Sequence, residues 1–411
     1  MGKVRTRQRG DSWYYSYELA TIGGKRKRKE VGGFATEQEA YDAGIKDKVK
    51  YDDGAPSVER KSTSVSDYLD YWYDNYVKIN LKYNTQYNYE KAIRLHLKPG
   101  LGKYKLQNLT PIIIQEWLNK KALDGYSHSS LDNMKKILTG ALKYAVYPAQ
   151  LITYNPAVGV TIPKIETPVQ NTDEKVLSDE ELKTLLKRFP NGSPYYIMLM
   201  IGYYTGLRIG ETLGLTWDNI DLEKQTITVD HTLTRSFGQN GWYGFGTPKT
   251  RSSFREVPIG ITLTNVLHKH KLWQSENELK YGSYYRYCYT QEERNGNKVL
   301  LHLTCSEKAV PVLATKVSMV CTHPNGEFIK PASFSYVTNI AKRELGISFS
   351  YHSLRHTHAT RLIENGANIK DVQKRLGHSS IDTTMDTYSH ATQKMAEESV
   401  QIFEQSARGI K

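Results

Sequence analysis

Tyr351-His352-Ser353-Leu354-Arg355-His356-Thr357-His358-Ala359-Thr360 is the stretch on which the reading of this chain turns. Read as a helix, it places His352 and Arg355, three apart, on one face. His352 and His356, four apart, also share a face and invite a zinc reading. A metalloprotease helix of the HExxH type needs Glu directly after the first His, and this chain has Ser353 there. A His and an Arg on one face suit a phosphate better, because the guanidinium forms a two-pronged fork to its oxygens.

Downstream stand Leu376-Gly377-His378-Ser379-Ser380 and then Thr383-Thr384-Met385-Asp386-Thr387-Tyr388-Ser389-His390. One tyrosine among 30 carries little weight alone, so Tyr388 matters only through its order and spacing relative to the other strings. Upstream stands Thr205-Gly206-Leu207-Arg208-Ile209-Gly210-Glu211-Thr212-Leu213-Gly214-Leu215. By itself this is a glycine break followed by an amphipathic helix with a solvated Arg208. It is no dinucleotide fingerprint, since no strand leads into its glycines.

The bulk properties fit a nucleic-acid partner without requiring one. The 411 residues suggest two or three domains. A content of 39% hydrophobic and 24% charged residues is ordinary for a globular protein. No apolar run approaches the roughly 18 residues of a membrane span. Met1-Gly2-Lys3-Val4-Arg5 leads into charge, which argues against a secretory signal. Cys288, Cys305 and Cys321 are odd in number and lack a CxxC spacing, so a reducing cytoplasm is expected. The net charge of +13 favours polyanions, because phosphate contacts release condensed counterions.

Pattern divides the chain, and the expected fold is multidomain. Residues 1–55 read as a small β-sheet plus helix: Ser12 to Leu19 is a strand, Gly23-Gly24 a turn, and Lys25 to Val31 the next strand. Thr36 and Glu39 then form a capping box. Residues 62–162 read as an all-α bundle, with helices over Ser66–Tyr76, Asn84–Leu97, Thr110–Leu123 and Ser129–Tyr147. Lys98-Pro99-Gly100-Leu101-Gly102 is expected to break the second. Residues 175–395 read as mixed α+β, mainly helical. Leu177-Ser178-Asp179-Glu180-Glu181 caps a helix, another spans Tyr195–Thr205, and Gln225–Ser236 and Arg255–Ile259 are β-like. Residues 396–411 form a tail.

Arg208, then His-x-x-Arg at 352–355, then Gly-His at 377–378, then Tyr388 ten residues after that His, resembles the tyrosine recombinases. That family includes the integrases of temperate phages and integrative conjugative elements and the Xer resolvases. The resemblance covers the catalytic segment strongly, the helical segment moderately and the first segment by architecture only. It implies a catalytic lysine on a β-hairpin between the two arginines. Thr247-Pro248-Lys249-Thr250-Arg251-Ser252-Ser253-Phe254-Arg255-Glu256-Val257-Pro258 matches there, which selects Lys249.

The resemblance implies a catalytic set of Tyr388, Arg208, Lys249, His352, Arg355 and His378. The residue types suit phosphoryl transfer. Arg208 and Arg355 would grip the non-bridging oxygens and lower the cost of a Tyr388 phenolate. His378 would add a hydrogen bond to the phosphate, His352 would orient or exchange protons near the nucleophile, and Lys249 would protonate the departing 5′ oxygen. Glu211 is expected to support the fold. A phosphotyrosyl link keeps the phosphoester energy, so neither metal nor other cofactor is expected.

The expected partners are double-stranded DNA attachment sites of core and arm type and other copies of the chain in a homotetramer on a Holliday junction. An excisionase and a host DNA-bending protein are further expectations, and no membrane is involved. Arm-site contacts are expected from Lys25, Lys27 and Lys29 on a strand, and core-site contacts from Lys135, Lys136 and Lys143 on a helix. The tail could dock on a neighbouring copy or on its own domain. A chromosome resolvase of the Xer type and a non-catalytic DNA-binding regulator are the alternative readings.

Overall fold

The structure is a computed structural model that describes residues 4–19, 28–52, 63–163, 175–235, 243–247, 251–292, 298–304 and 314–377. The chain forms two compact units, Met1–Thr167 and Pro168–Lys411.

The first unit opens with an antiparallel sheet of β1 (Arg5–Arg9), β2 (Ser12–Glu18) and β3 (Arg28–Phe34), with β2 central. Side chains alternate across a strand, so register decides which residues share a face. Thr6 pairs with Tyr15, and Tyr15 with Val31; Arg7 pairs with Tyr14, and Tyr14 with Gly32. The Tyr15 and Tyr17 face is covered by α1 (Glu37–Asp52), where both hydroxyls donate to Asp47 Oδ2 at 2.9 Å. Thr36 caps α1 by accepting from the Glu39 amide at 3.2 Å, and Glu39 reaches back to the amide of Ala35.

The helices of this unit are α2 (Val65–Trp72), α3 (Lys78–Asn80), α4 (Tyr83–Ala92), α5 (Lys98–Leu101), α6 (Pro111–Leu123) and α7 (His128–Val146). The apolar stripe of α7 (Leu131, Met134, Ile137, Leu138, Ala141, Leu142 and Ala145) is buried against this bundle. Pro99 does not end the helix expected over Asn84–Leu97. A π-turn over Ile93–Leu97 shifts the hydrogen-bond register so that the Lys98 amide reaches Ile93 O, and α5 carries on through Pro99. A wide turn of this kind accommodates a residue that lacks an N–H.

The second unit begins with α8 (Asp179–Arg188), a capped start as the sequence predicts, with Ser178 and Glu181 capping reciprocally. Next come α9 (Tyr196–Thr205) and α10 (Ile209–Gly214). Five successive residues of α9, Ile197 to Ile201, are buried, so this helix is the centre of the core. Strands β4 (Ile220–Asp221), β5 (Thr226–Val229) and β8 (Arg255–Pro258) make one antiparallel sheet in the order β4-β5-β8.

Between β5 and β8 the chain adds β6 (Thr232–Arg235) and β7 (Tyr243–Gly246). After α11 (Ile261–Tyr281) come β9 (Arg286–Glu292), β10 (Lys298–Thr304) and β11 (Ala314–Val317). These five strands form a second sheet in the order β11-β9-β10-β7-β6. The sequence reading had no strands over 286–317. Helices α12 (Phe334–Leu345), α13 (Tyr351–Glu364) and α14 (Ile369–Leu376) complete the unit. Tyr351 anchors α13 to the core, its ring edge-on to Phe334 at 5.0 Å and its hydroxyl 2.7 Å from Thr212 Oγ1.

Candidate active site

Three helix ends meet where the quoted strings lie. α9 stops at Gly206, whose φ of +66° lies in the left-handed region that glycine favours. A side chain at Gly206 would also meet Leu376 Cδ2 at 2.7 Å and His358 at 2.9 Å. The tight stop turns the chain so that Arg208 stands at the N-cap of α10. Its guanidinium donates to Glu211 Oε1 at 2.9 Å and to Gly377 O at 3.3 Å.

Arg355, on α13, is 1% exposed. It donates through Nη1 to Gly206 O at 2.8 Å and through Nη2 to Leu376 O at 2.7 Å. Two arginines 147 positions apart in sequence therefore both bind the Leu376-Gly377 carbonyls, directly before His378. His352 lies one turn before Arg355 on α13. Desolvation, then Arg355 and Arg208, push its imidazole below the ordinary value, which keeps it neutral at neutral pH.

Glu211 lies between two arginines. It is 4% exposed, and its two oxygens bind Arg208 on one side and Arg255 on the other, with Arg255 Nη2 at 3.0 Å from Oε2. Burial alone would raise this carboxyl, but the Arg255 and Arg208 contacts overcome it and hold Glu211 below the usual carboxylate range. Arg255 also donates to Arg375 O at 2.7 Å. Arg375 in turn donates to His358 Nε2 at 3.0 Å, Pro258 O at 2.9 Å and Tyr204 O at 3.1 Å. This chain of contacts ties α9, α10, β8, α13 and α14 together around Arg208 and Arg355. Burial, then Arg375, push His358 down to about 4. Sequence reading missed Arg255, Arg375 and His358 as positioning residues. Arg255 lay inside the quoted lysine motif, whereas Arg375 gave no signal.

Among the predicted catalytic residues, the structure brings Arg208, His352 and Arg355 together, while Lys249, His378 and Tyr388 lie outside the described residues. Among the predicted DNA contacts, Lys25 and Lys27 also lie outside them. Lys29 is on the helix-covered face of the small sheet, with its Nζ 2.7 Å from Asp47 Oδ2. The neighbouring Arg28 points to the opposite, open face, where its Nη2 meets Ser16. On α7, Lys136 and Lys143 are exposed and share one stripe. Lys136 pairs with Asp132, and Lys135 sits partly buried beside that stripe. No helix among the described residues is long and apolar enough to cross a membrane.

Comparison with known proteins places these features in a family. The phage integrase family profile matches residues 175–395. The profile of the phage integrase N-terminal SAM-like domain matches 64–122, and that of the Arm DNA-binding domain matches 4–50. A relative called tyrosine recombinase XerC-like, from Caldanaerobacter subterraneus subsp. tengcongensis, is 29% identical over 407 residues, which is 94% of this chain and 95% of its own. Among solved structures, the Tn1549 transposon integrase in complex with a circular intermediate DNA superposes with a TM-score of 0.62 at 21% identity, over 83% of this chain and all of its own. A lambda integrase tetramer bound to a Holliday junction gives 0.53 at 17% identity, over 93% and 96% of the two chains.

Proposed function

The chain belongs to the phage integrase family and is a tyrosine-type site-specific recombinase that integrates mobile DNA; from this premise we infer that Tyr388 is its nucleophile. The reading rests on one observation above all. Arg208 and Arg355, from distant parts of the chain, converge on the two residues that precede His378. Glu211 answers Arg208 and Arg255 together with one negative charge, so surplus positive charge is left beside Arg355, and a scissile phosphate would balance it.

In this reading the Tyr388 phenol oxygen attacks the phosphorus, and the bond from phosphorus to the 5′ oxygen breaks. Lys249 gives its proton to the departing oxygen. Neutral His352 takes the phenol proton as the bond forms. Arg208, Arg355 and His378 hold the non-bridging oxygens as charge builds in the transition state. Strand joining is the reverse: a 5′ hydroxyl from the partner strand attacks the phosphotyrosine and releases Tyr388. Each step exchanges one phosphoester for another, so neither ATP nor a metal is needed in this scheme.

The assembly is read as a homotetramer that exchanges strands through a Holliday junction, by likeness to the lambda integrase tetramer. Residues 4–50 would bind arm-type sites and α7 the core site through Lys136 and Lys143. In the small sheet, the open face carrying Arg5, Arg7, Arg9 and Arg28 is the DNA-facing one, since α1 covers the other. An excisionase and a host DNA-bending protein would set direction, and the cytoplasm is the compartment. Integration by a phage or conjugative element is favoured over chromosome resolution.

The chemistry of the cut ends tests this. DNA cleaved by the protein in the presence of chelator is predicted to carry 5′ hydroxyls that polynucleotide kinase labels without prior phosphatase treatment. Ends that need phosphatase first would sink the proposed polarity.

A further inference from the structure

On the open face of the N-terminal sheet, Arg7 of β1 and Glu30 of β3 reach over the central strand to each other. Arg7 Nε lies 2.7 Å from Glu30 Oε1, and Nη2 lies 2.7 Å from Oε2. Both side chains remain partly exposed, at 43% and 29%. The small Ser16, the register partner of both Arg5 and Glu30, leaves room beneath the crossing. Beside it the ring of Tyr14 lies against Gly32, where any side chain would collide with it (a Cβ would fall 2.0 Å from the ring). Arg9 stacks over the same ring at 5.6 Å. The result is a basic face with Glu18 at its edge, opposite Arg28, and with the Glu30 carboxylate at its middle, where Arg9 Nη2 also comes within 3.9 Å of it.

That carboxylate is out of place on a surface that meets DNA, because phosphates repel it. Its partner Arg7 holds it below the usual carboxylate range, so it stays charged. A carboxylate in a groove has a use there when it accepts from a base or fixes a donor that reads one. Glu30 takes the Nε–Nη2 edge of Arg7. The guanidinium is planar with five N–H groups, so this leaves the Nη1–Nη2 edge as a second, parallel pair of donors. Two parallel donors match guanine O6 and N7 in the major groove.

We propose that Arg7, held by Glu30, reads one guanine in the arm-type site, and that this pair sets sequence preference while Arg5, Arg9 and Arg28 contact phosphates. The proposal rests on the reading that this sheet binds DNA.

Selection of duplexes from a randomised library by the full chain tests both levels. The unaltered protein is predicted to select a site with one guanine preferred roughly tenfold to a hundredfold over other bases. Arg7→Lys and Glu30→Ala should each flatten that position and leave the rest of the profile standing, whereas Arg5→Gln should weaken all sequences evenly. If Arg7→Lys and Glu30→Ala both keep the full profile, the Arg7–Glu30 assignment is overturned although the sheet binds DNA. If a triple Arg5→Gln, Arg7→Gln, Arg9→Gln variant selects the same sites with the same affinity, the sheet is not a DNA-binding face and both levels fall. Lysine at position 7 keeps the charge, so a flattened position there reports lost fork geometry rather than lost attraction.

Discussion

Glu211 gives both oxygens to arginines, the half-exposed Arg208 on one side and the buried Arg255 on the other. Removing one partner of a buried ion pair strands the others, which costs about 3 kcal/mol. Glu211→Gln keeps the shape but aims amide hydrogens at one of two guanidiniums. It is predicted to lower stability by about that amount in urea unfolding. It should also slow DNA cleavage more than it weakens DNA binding, because Arg208 loses its orientation. A variant with wild-type cleavage would show that Arg208 is placed by something else. Arg355 is oriented differently, by donating one bond from each terminal nitrogen to a backbone carbonyl.

At the scale of elements, the turn from α9 into α10 carries the most. Gly206→Ala would put a side chain in a left-handed conformation, costing about 1–2 kcal/mol, and against Leu376. The expected outcome is a lower urea midpoint and at least a tenfold slower cleavage, as Gly206 O withdraws from Arg355. Cleavage unchanged in this variant would contradict the placement of the turn. Such elements were legible because chemistry and capping both restrict residue type. Ser178 and Glu181 announced α8, and the His-x-x-Arg spacing announced one face of α13. Strands β9 to β11 were not legible, for their pairing is non-local: β10 joins β9 to β7, some 55 residues upstream. Register likewise hid the facing of Lys29, because alternation fixes that two neighbours differ but not which one α1 covers. Pro99 misled the reading, since a π-turn is a property of hydrogen-bond register rather than of composition. Half of the candidate catalytic set could be placed beside its partners, and the positioning chain through Arg375 came only from the packed structure.

For the whole molecule, two buried histidines set an acid limit. Burial pushes His270 and His358 down to about 4 each. The unfolded chain binds their protons near pH 6.5 and the folded one does not, so it takes up more protons on unfolding below that pH. Stability is therefore fully present above about pH 6.5 and falls as pH drops towards 4, by on the order of 3 kcal/mol per histidine. Between pH 6.5 and 5 few carboxylates titrate, so this window isolates the histidines. Chemical unfolding is expected to show the decline there, and a His270→Gln, His358→Gln protein a flatter curve. A flat curve in the unaltered protein would mean that neither ring is held neutral.

The measurement that bears most directly on the account is a covalent-trapping assay. The protein is incubated with DNA from its own element's attachment region in chelator, then run on a denaturing gel. A protein–DNA adduct that disappears in Tyr388→Phe and is strongly reduced in Arg208→Lys is the predicted result. An adduct that survives Tyr388→Phe, or cleavage without any adduct, would contradict the account at its centre.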